Sequence, residues 1–243
     1  MEPAHETASR ELERRFAKVL AVFRRHRAAK PRTRPFVVEL FGTPKAGKTT
    51  MKDMIKHFGK RNDWNVTAPT EGAEMIETPR DTPLYNIETR NYAMSALHAR
   101  IAVAHPEADL VILDRGPYDG IMWLDYWTRK GKLSAEDHAT IEAYYRLPMF
   151  LDQFDAHLCM VCEPKLALIR EVAHTVSTKD GDTMNPKSLE TLFDAHRKMW
   201  ERFDCDKDPR MSWHDSSSED VHTTSLRILD LLATAFERRI KTL

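Results

Sequence analysis

The chain has 243 residues, 42% of them hydrophobic and 30% charged, which suits a globular protein with a sizeable core and excludes a low-complexity or fibrous chain. Lys plus Arg and Asp plus Glu number 37 each, yet residues 1–35 hold ten Lys/Arg against four Asp/Glu, a net of +6 that leaves −6 on the remainder. A mildly acidic body argues against a protein that grips nucleic acid with its whole surface.

From Thr7 to Lys30 there is no Gly or Pro, and Leu12, Phe16, Val19, Leu20 and Phe23 fall at helical spacing beneath a basic outer face. Pro31 and Pro35 end that helix. Residues 1–34 therefore read as a basic amphipathic helical extension. It packs on the core or meets a partner, either a nucleic acid or a second copy in a homodimer. Phe36 to Phe41 is short, apolar and β-branched, as a buried parallel strand is. Thr49 to Phe58 continues as a helix. Trp64 to Pro69 reads as a second strand, Leu84 to Ala104 as a long helix, and Leu110 to Asp114 as a third strand. Ile121 to Arg129 is helical, and Ser134 with Asp137 makes an N-cap for the helix carrying Ile141, Tyr144 and Tyr145. His157 to Val161 forms a fourth strand, with a helix opening at Pro164. Met211 to His214 is a fifth strand, and Ser216-Ser217-Ser218-Glu219 opens a C-terminal helix. Strands alternating with helices predict an α/β fold, a doubly wound parallel sheet of about five strands covered on both faces, over residues 35–243.

Three cysteines occur. Cys159 and Cys162 lie in a strand-like run where alternate facing separates them, and no second pair or His cluster completes a zinc site, so they read as reduced packing residues. The N-terminus is polar, and no apolar stretch is long enough to span a membrane, so the expected location is cytoplasmic.

Between the first strand and its helix stands Gly42-Thr43-Pro44-Lys45-Ala46-Gly47-Lys48-Thr49, followed by Thr50. This is G-x-x-x-x-G-K-[ST], the phosphate-binding loop. Glycines let successive N–H groups turn toward phosphate oxygens, and the helix N-terminus adds partial positive charge. Lys48 reaches the terminal phosphates and the Thr49 hydroxyl ligates Mg²⁺. The expected cofactors are ATP and Mg²⁺, with ATP against GTP left open. Leu110-Val111-Ile112-Leu113-Asp114 is the second signal, a buried strand that delivers a hard oxygen ligand beside the loop. Arg115 follows, able to neutralise charge on a transferring phosphoryl group. Asp119 is either a first-turn charge or a site residue. Glu71, at the end of the second strand, is placed to accept a hydroxyl proton. Arg80 is a candidate for a substrate phosphate or a solvated charge, and Tyr85, Arg90 and Asn91 are the helix positions that could face an acceptor.

With these residues in place, the chain from 36 to 240 resembles the deoxynucleoside kinase and thymidylate kinase branch of phosphate-loop kinases. Asp114-Arg115-Gly116 is similar to their Asp/Glu-Arg-Ser or Asp-Arg-Tyr element, and Glu71 sits like the Glu they use as base toward a 5′-hydroxyl. Cys162-Glu163-Pro164-Lys165 resembles the approach to their lid, and Asn185 to Glu190, with His196 and Trp200, the segment after it. His214-Asp215-Ser216 is similar to the element whose following turn contacts adenine. The lid of the family is rich in arginine. Here Arg170, His174 and Lys179 are the cations before Lys187, with His174 where an Arg is expected, and Lys45 is positioned to supply part of that charge. The resemblance implies a kinase that moves the γ-phosphoryl of Mg-ATP to a nucleoside, nucleotide or similar small acceptor. Lys48, Glu71, Asp114 and Arg115 would be catalytic, and Glu71 or Asp114 the base. Two alternatives stay open: a kinase of nucleic-acid ends or modified bases, gripped by the N-terminal helix, and a phosphate-loop ATPase acting as a switch.

Overall fold

The computed structural model describes residues 2–29, 34–103, 108–175, 181 and 183–241. Five strands, β1 (Phe36–Gly42), β2 (Val66–Thr67), β3 (Leu110–Asp114), β4 (Ala156–Val161) and β5 (Met211–Asp215), form one sheet in the order β2-β3-β1-β4-β5. Every neighbouring pair is parallel. The α/β architecture with helices on both faces is as the alternating pattern predicted. β3 and β4 flank β1, so the chain changes winding direction there and opens a crevice at the strands' C-terminal ends. Register places Leu40 beside Asp114 and Gly42 beside Met160, which brings the end of β3 to the loop that leaves β1.

Side-chain alternation sorts the sheet into two faces. Val38 and Leu40 on β1, Leu110 and Ile112 on β3, and Leu158 and Met160 on β4 pack with α2 (Lys48–Arg61) and α10 (Val221–Lys241). Beneath the opposite face lie α4 (Pro83–Val103), α5 (Pro117–Arg129) and α9 (Pro186–Arg202), meeting Val37, Phe41, Val111, Leu113, Cys159 and Val161. Cys159 and Cys162 are free, buried and in separate packing clusters, as alternate facing predicts. Glu39 and His157 also point into the second face and are fully buried.

The N-terminal helix α1 (Glu2–Ala29) lies along α10 and places Phe16, Val19, Leu20, Val22 and Phe23 in the same core as the sheet. Phe23 alone meets the rings of Phe36, Trp64 and Phe236. Burial of these five side chains stabilises the fold by roughly 10 kcal/mol in area terms, at about 2 kcal/mol each.

Local signals account for most helix starts. Ser134 accepts a hydrogen bond from Asp137 N at 3.0 Å to cap α6 (Ala135–Tyr145), and Asn185 accepts one from Ser188 N at 2.9 Å to cap α9. Two expectations need correction. The second strand is only Val66–Thr67, because Trp64 turns back through its N–H to Gly59 O and buries its ring in the core. The C-terminal helix is opened by Asp220, whose Oδ1 accepts from Thr223 N at 2.7 Å, and not by the serines. Ser216 and Ser217 make tertiary bonds instead. Among the described residues no helix is long and apolar enough to cross a membrane.

Candidate active site

The loop from Gly42 to Thr49 is shaped by its glycines. Gly42 has φ 129°, and a Cβ there would lie 1.8 Å from Met160 O, so no other residue fits without moving β4. Gly47, with φ 95°, turns the chain directly into α2, which begins with no side-chain cap and no acidic residue in its first turn. Its first N–H groups are therefore left for an anion. Thr43 Oγ1 accepts from Cys162 N at 2.9 Å, fixing the loop to the end of β4. Lys45 adopts the left-handed conformation with φ 60°, unusual for a residue with a side chain. Its Nζ lies 2.6 Å from Glu171 and its carbonyl accepts from Arg170 at 2.9 Å.

Lys48 is buried and donates to Gly42 O at 3.1 Å and Thr43 O at 2.6 Å. Burial, with Arg115 adding repulsion, pushes its pKa down to about 8. Thr49 Oγ1 stands 3.3 Å from Asp114 Oδ2, and Lys52 Nζ stands 2.8 Å from the same oxygen. A hydroxyl and a carboxylate side by side beneath the Gly42–Thr49 loop are hard oxygen donors that suit Mg²⁺. Among the described residues no His/Cys/Asp/Glu cluster competes for a softer metal.

Arg115 has φ 68°, and its N–H donates to Leu40 O at 2.8 Å. That backbone turn aims the guanidinium at Glu71, with Nε 3.1 Å from Oε1, and at Asp119, with a nitrogen 3.4 Å from Oδ1. Burial works against its charge, but the carboxylates of Asp119, Glu71 and Asp114 outweigh it and hold its pKa above the ordinary value. Asp119 is fully buried. Although desolvation favours its neutral form, Arg90 and Arg115 win and keep its pKa low. A terminal guanidinium nitrogen of Arg90 lies 2.7 Å from Asp119 Oδ2 in a buried ion pair, while Arg90 Nε is buried with no hydrogen-bond partner.

A cavity of about 630 Å³ joins most of these groups. It is lined by the loop from Pro44 to Thr50, by Glu71, Asp114 and Arg115, and on its far side by Arg170, Ser216 and Val221. Arg170 links the lid-side helix α8 (Pro164–Thr175) to the cavity wall through Ser216 O at 3.1 Å and Ser216 Oγ at 3.2 Å. The acceptor-side candidates separate. Tyr85 and Arg90 are buried on α4, whereas Asn91 is exposed on the same helix. Arg80 is exposed, its guanidinium 3.5 Å from Ala73 O. The side chain of His174, and Lys179 entirely, lie outside the described residues.

Several residues that shape the site are silent in the linear motifs. Glu39 Oε1 accepts from Gly116 N at 2.9 Å and Asp119 N at 3.2 Å, and its other oxygen meets His157 Nδ1 at 2.7 Å. It thus caps α5 from beneath and holds the turn that carries Arg115. The available signal was an acid inside an apolar strand, where an unpaired carboxylate is costly. Lys52 is a second: it lies one helical turn beyond Lys48. Asn86, next to Tyr85, accepts from Trp127 Nε1 at 2.7 Å. His196, quoted only within a segment, is fully buried beneath the site. Burial pushes its pKa down to about 4.

No protein-family model matches the chain, and no curated protein matches it in sequence. Solved structures do match in fold. Deoxyadenosine kinase from M. mycoides with the products dCMP and a flexible dCDP bound superposes with a TM-score of 0.58 at 18% identity, covering 81% of this chain and 98% of that one. The same enzyme with bound dCTP gives 0.57 at 15% identity, and with bound dATP 0.55 at 17%, each over 81% of this chain and 98% of that one. At these identities the likeness establishes a shared α/β fold, the fold that the resemblance of the sequence implied.

Proposed function

We propose that this protein transfers the γ-phosphoryl group of ATP to a hydroxyl of a nucleoside-like small molecule. The observation that carries the proposal is the convergence of loop, Asp114, Arg115 and Glu71 on one cavity. Gly42, Thr43, Pro44, Lys45, Ala46 and Gly47 with the first turn of α2 cradle the phosphates. Lys48 turns from its loop carbonyls onto their terminal oxygens. Thr49 and Asp114 would hold Mg²⁺, which would screen the phosphate charge. The acceptor hydroxyl oxygen forms a bond to the γ-phosphorus as the bond to the β–γ bridging oxygen breaks, ADP leaves, and the hydroxyl proton passes to a carboxylate. Glu71 is the better base. Asp114 has two partners, Thr49 and Lys52, and is the carboxylate assigned to the metal, whereas Glu71 has one, Arg115. Arg115, charged throughout, stabilises the transferring group. Arg170 and Lys45 carry what lid charge the described residues offer.

An uncharged acceptor fits better than a nucleotide. Arg90 and Arg115 already face Asp119 and Glu71, and Arg80 is exposed, so none of these three candidate cations is left over for a second phosphate among the described residues. The polymer-kinase reading draws less support. Arg14, Arg15 and Arg25 on α1 pair with Glu11, Asp230 and Glu237 in the protein itself. The test is phosphate transfer from ATP across nucleosides, nucleoside monophosphates and oligonucleotides, with nucleosides expected to be phosphorylated. Transfer confined to monophosphates or oligonucleotides would contradict the proposal.

A further inference from the structure

Lys52 is a cation that the phosphoryl-transfer chemistry above does not use. It follows Lys48 by one turn on α2, so both project from the same helical face. Its side chain is 10% exposed and its Nζ lies 2.8 Å from Asp114 Oδ2, the oxygen that Thr49 Oγ1 approaches to 3.3 Å. The Asp114 side chain is 2% exposed, so the pair is shielded from water and salt. The carboxylate best placed for a metal therefore already carries a positive charge fixed by the fold.

The surrounding charges sharpen the point. Lys48 and Arg115 also act on Asp114, while Glu71 and Asp53 act on Lys52. Lys48, Lys52, Arg90 and Arg115 face Asp53, Glu71, Asp114 and Asp119, Lys45 pairs with Glu171, and Arg170 and Asp220 add one charge of each sign to the cavity wall, so the site is balanced before any nucleotide enters. A free divalent cation meets no excess of negative charge there and must displace an ammonium to reach Asp114. A cation carried on a triphosphate brings its own compensating charge, which the loop and Lys48 attract.

Resting on the kinase reading, we propose that Lys52 is a counter-cation that closes Asp114 to free divalent metal and yields it only to metal arriving on a nucleotide. Metal binding and nucleotide binding then become one event, which prevents an empty site from being occupied by metal alone.

Mn²⁺ binding to the full-length protein, followed by electron paramagnetic resonance with and without ADP, tests this. Wild type is expected to bind Mn²⁺ at least tenfold more weakly without ADP than with it. Lys52→Met should tighten the nucleotide-free affinity at least tenfold, Lys52→Arg should stay at the wild-type value, and adding Asp114→Asn to Lys52→Met should remove the gain. Circular dichroism melts establish that each variant is folded. If Lys52→Met leaves nucleotide-free affinity unchanged or weaker, or if the gain survives Asp114→Asn, while Mn²⁺–ADP still binds, the role assigned to Lys52 is wrong and the kinase reading stands. If no variant binds Mn²⁺–ADP, the kinase reading fails and this inference falls with it.

Discussion

On the donor side of Arg115, one short loop and the strand beside it supply one wall of the cavity, with Arg170, Ser216 and Val221 on the far side, and several groups of the loop are held ready. α2 opens without a side-chain cap, and Lys48 rests on two loop carbonyls that it can exchange for phosphate oxygens. On the acceptor side, the corresponding groups are locked to each other. Arg90 meets Asp119, Arg115 meets Glu71 and Asp119, and Asn86 holds Trp127. One side leaves uncapped backbone N–H groups and a lysine held only by loop carbonyls facing the cavity. The other spends most of its polar groups on internal structure.

The largest effect should come from the donor side. Lys48→Ala should lower turnover about a thousandfold with an unchanged circular dichroism spectrum, since it removes charge aimed at the transition state and little packing. Retention of near wild-type transfer would break the donor assignment. On the acceptor side the leading effect should be structural. Asp119→Asn leaves Arg90 buried without its counter-charge, and urea unfolding should report a loss of about 3 kcal/mol. A variant as stable as wild type would show that the acceptor side is not locked. Asp114→Asn should come next, with transfer down about a hundredfold as the metal's carboxylate is lost. Full activity in excess chelator would exclude this role.

The smallest expected effect follows from Lys48 titrating near 8 in the free protein. A lysine with a depressed pKa is charged below that pH and neutral above it, whereas phosphate binding favours the charged form. Nucleotide affinity should therefore hold between pH 6 and 7.5 and fall about tenfold by pH 9, roughly 1.4 kcal/mol for one unit. Calorimetry in buffers of different ionisation enthalpy should detect proton uptake on binding near pH 8.5, and Lys48→Ala should abolish it.

The same contrast explains what the sequence disclosed. The loop from Gly42 to Thr49 and the strand ending at Asp114 are local: an apolar run, a glycine spacing and an acid at a strand end imply their own geometry. The helix cap at Ser134 is local too, and so was the alternation that placed Cys159 and Cys162 apart. Glu39, whose partners lie on α5 and β4, and Lys52, whose partner is on β3, act across distances of 62 to 118 residues. No spacing rule reaches that far. The acceptor helix carries polar residues on several faces, so periodicity could not tell that Tyr85 and Arg90 turn inward while Asn91 faces water. The C-terminal helix was misplaced by a serine cluster that resembles a cap but serves Arg170 and Glu163 instead.

The central claim is that a site built around Lys48, Asp114, Arg115 and Glu71 moves phosphate from ATP to a hydroxyl. γ-Labelled ATP, supplied with Mg²⁺ and a panel of ribo- and deoxyribonucleosides, tests it most directly when the labelled products are separated by chromatography. The account predicts label on a nucleoside monophosphate, lost in Lys48→Ala and strongly reduced in Glu71→Gln. Label released only as inorganic phosphate, at a rate indifferent to every nucleoside and to Glu71→Gln, would contradict it.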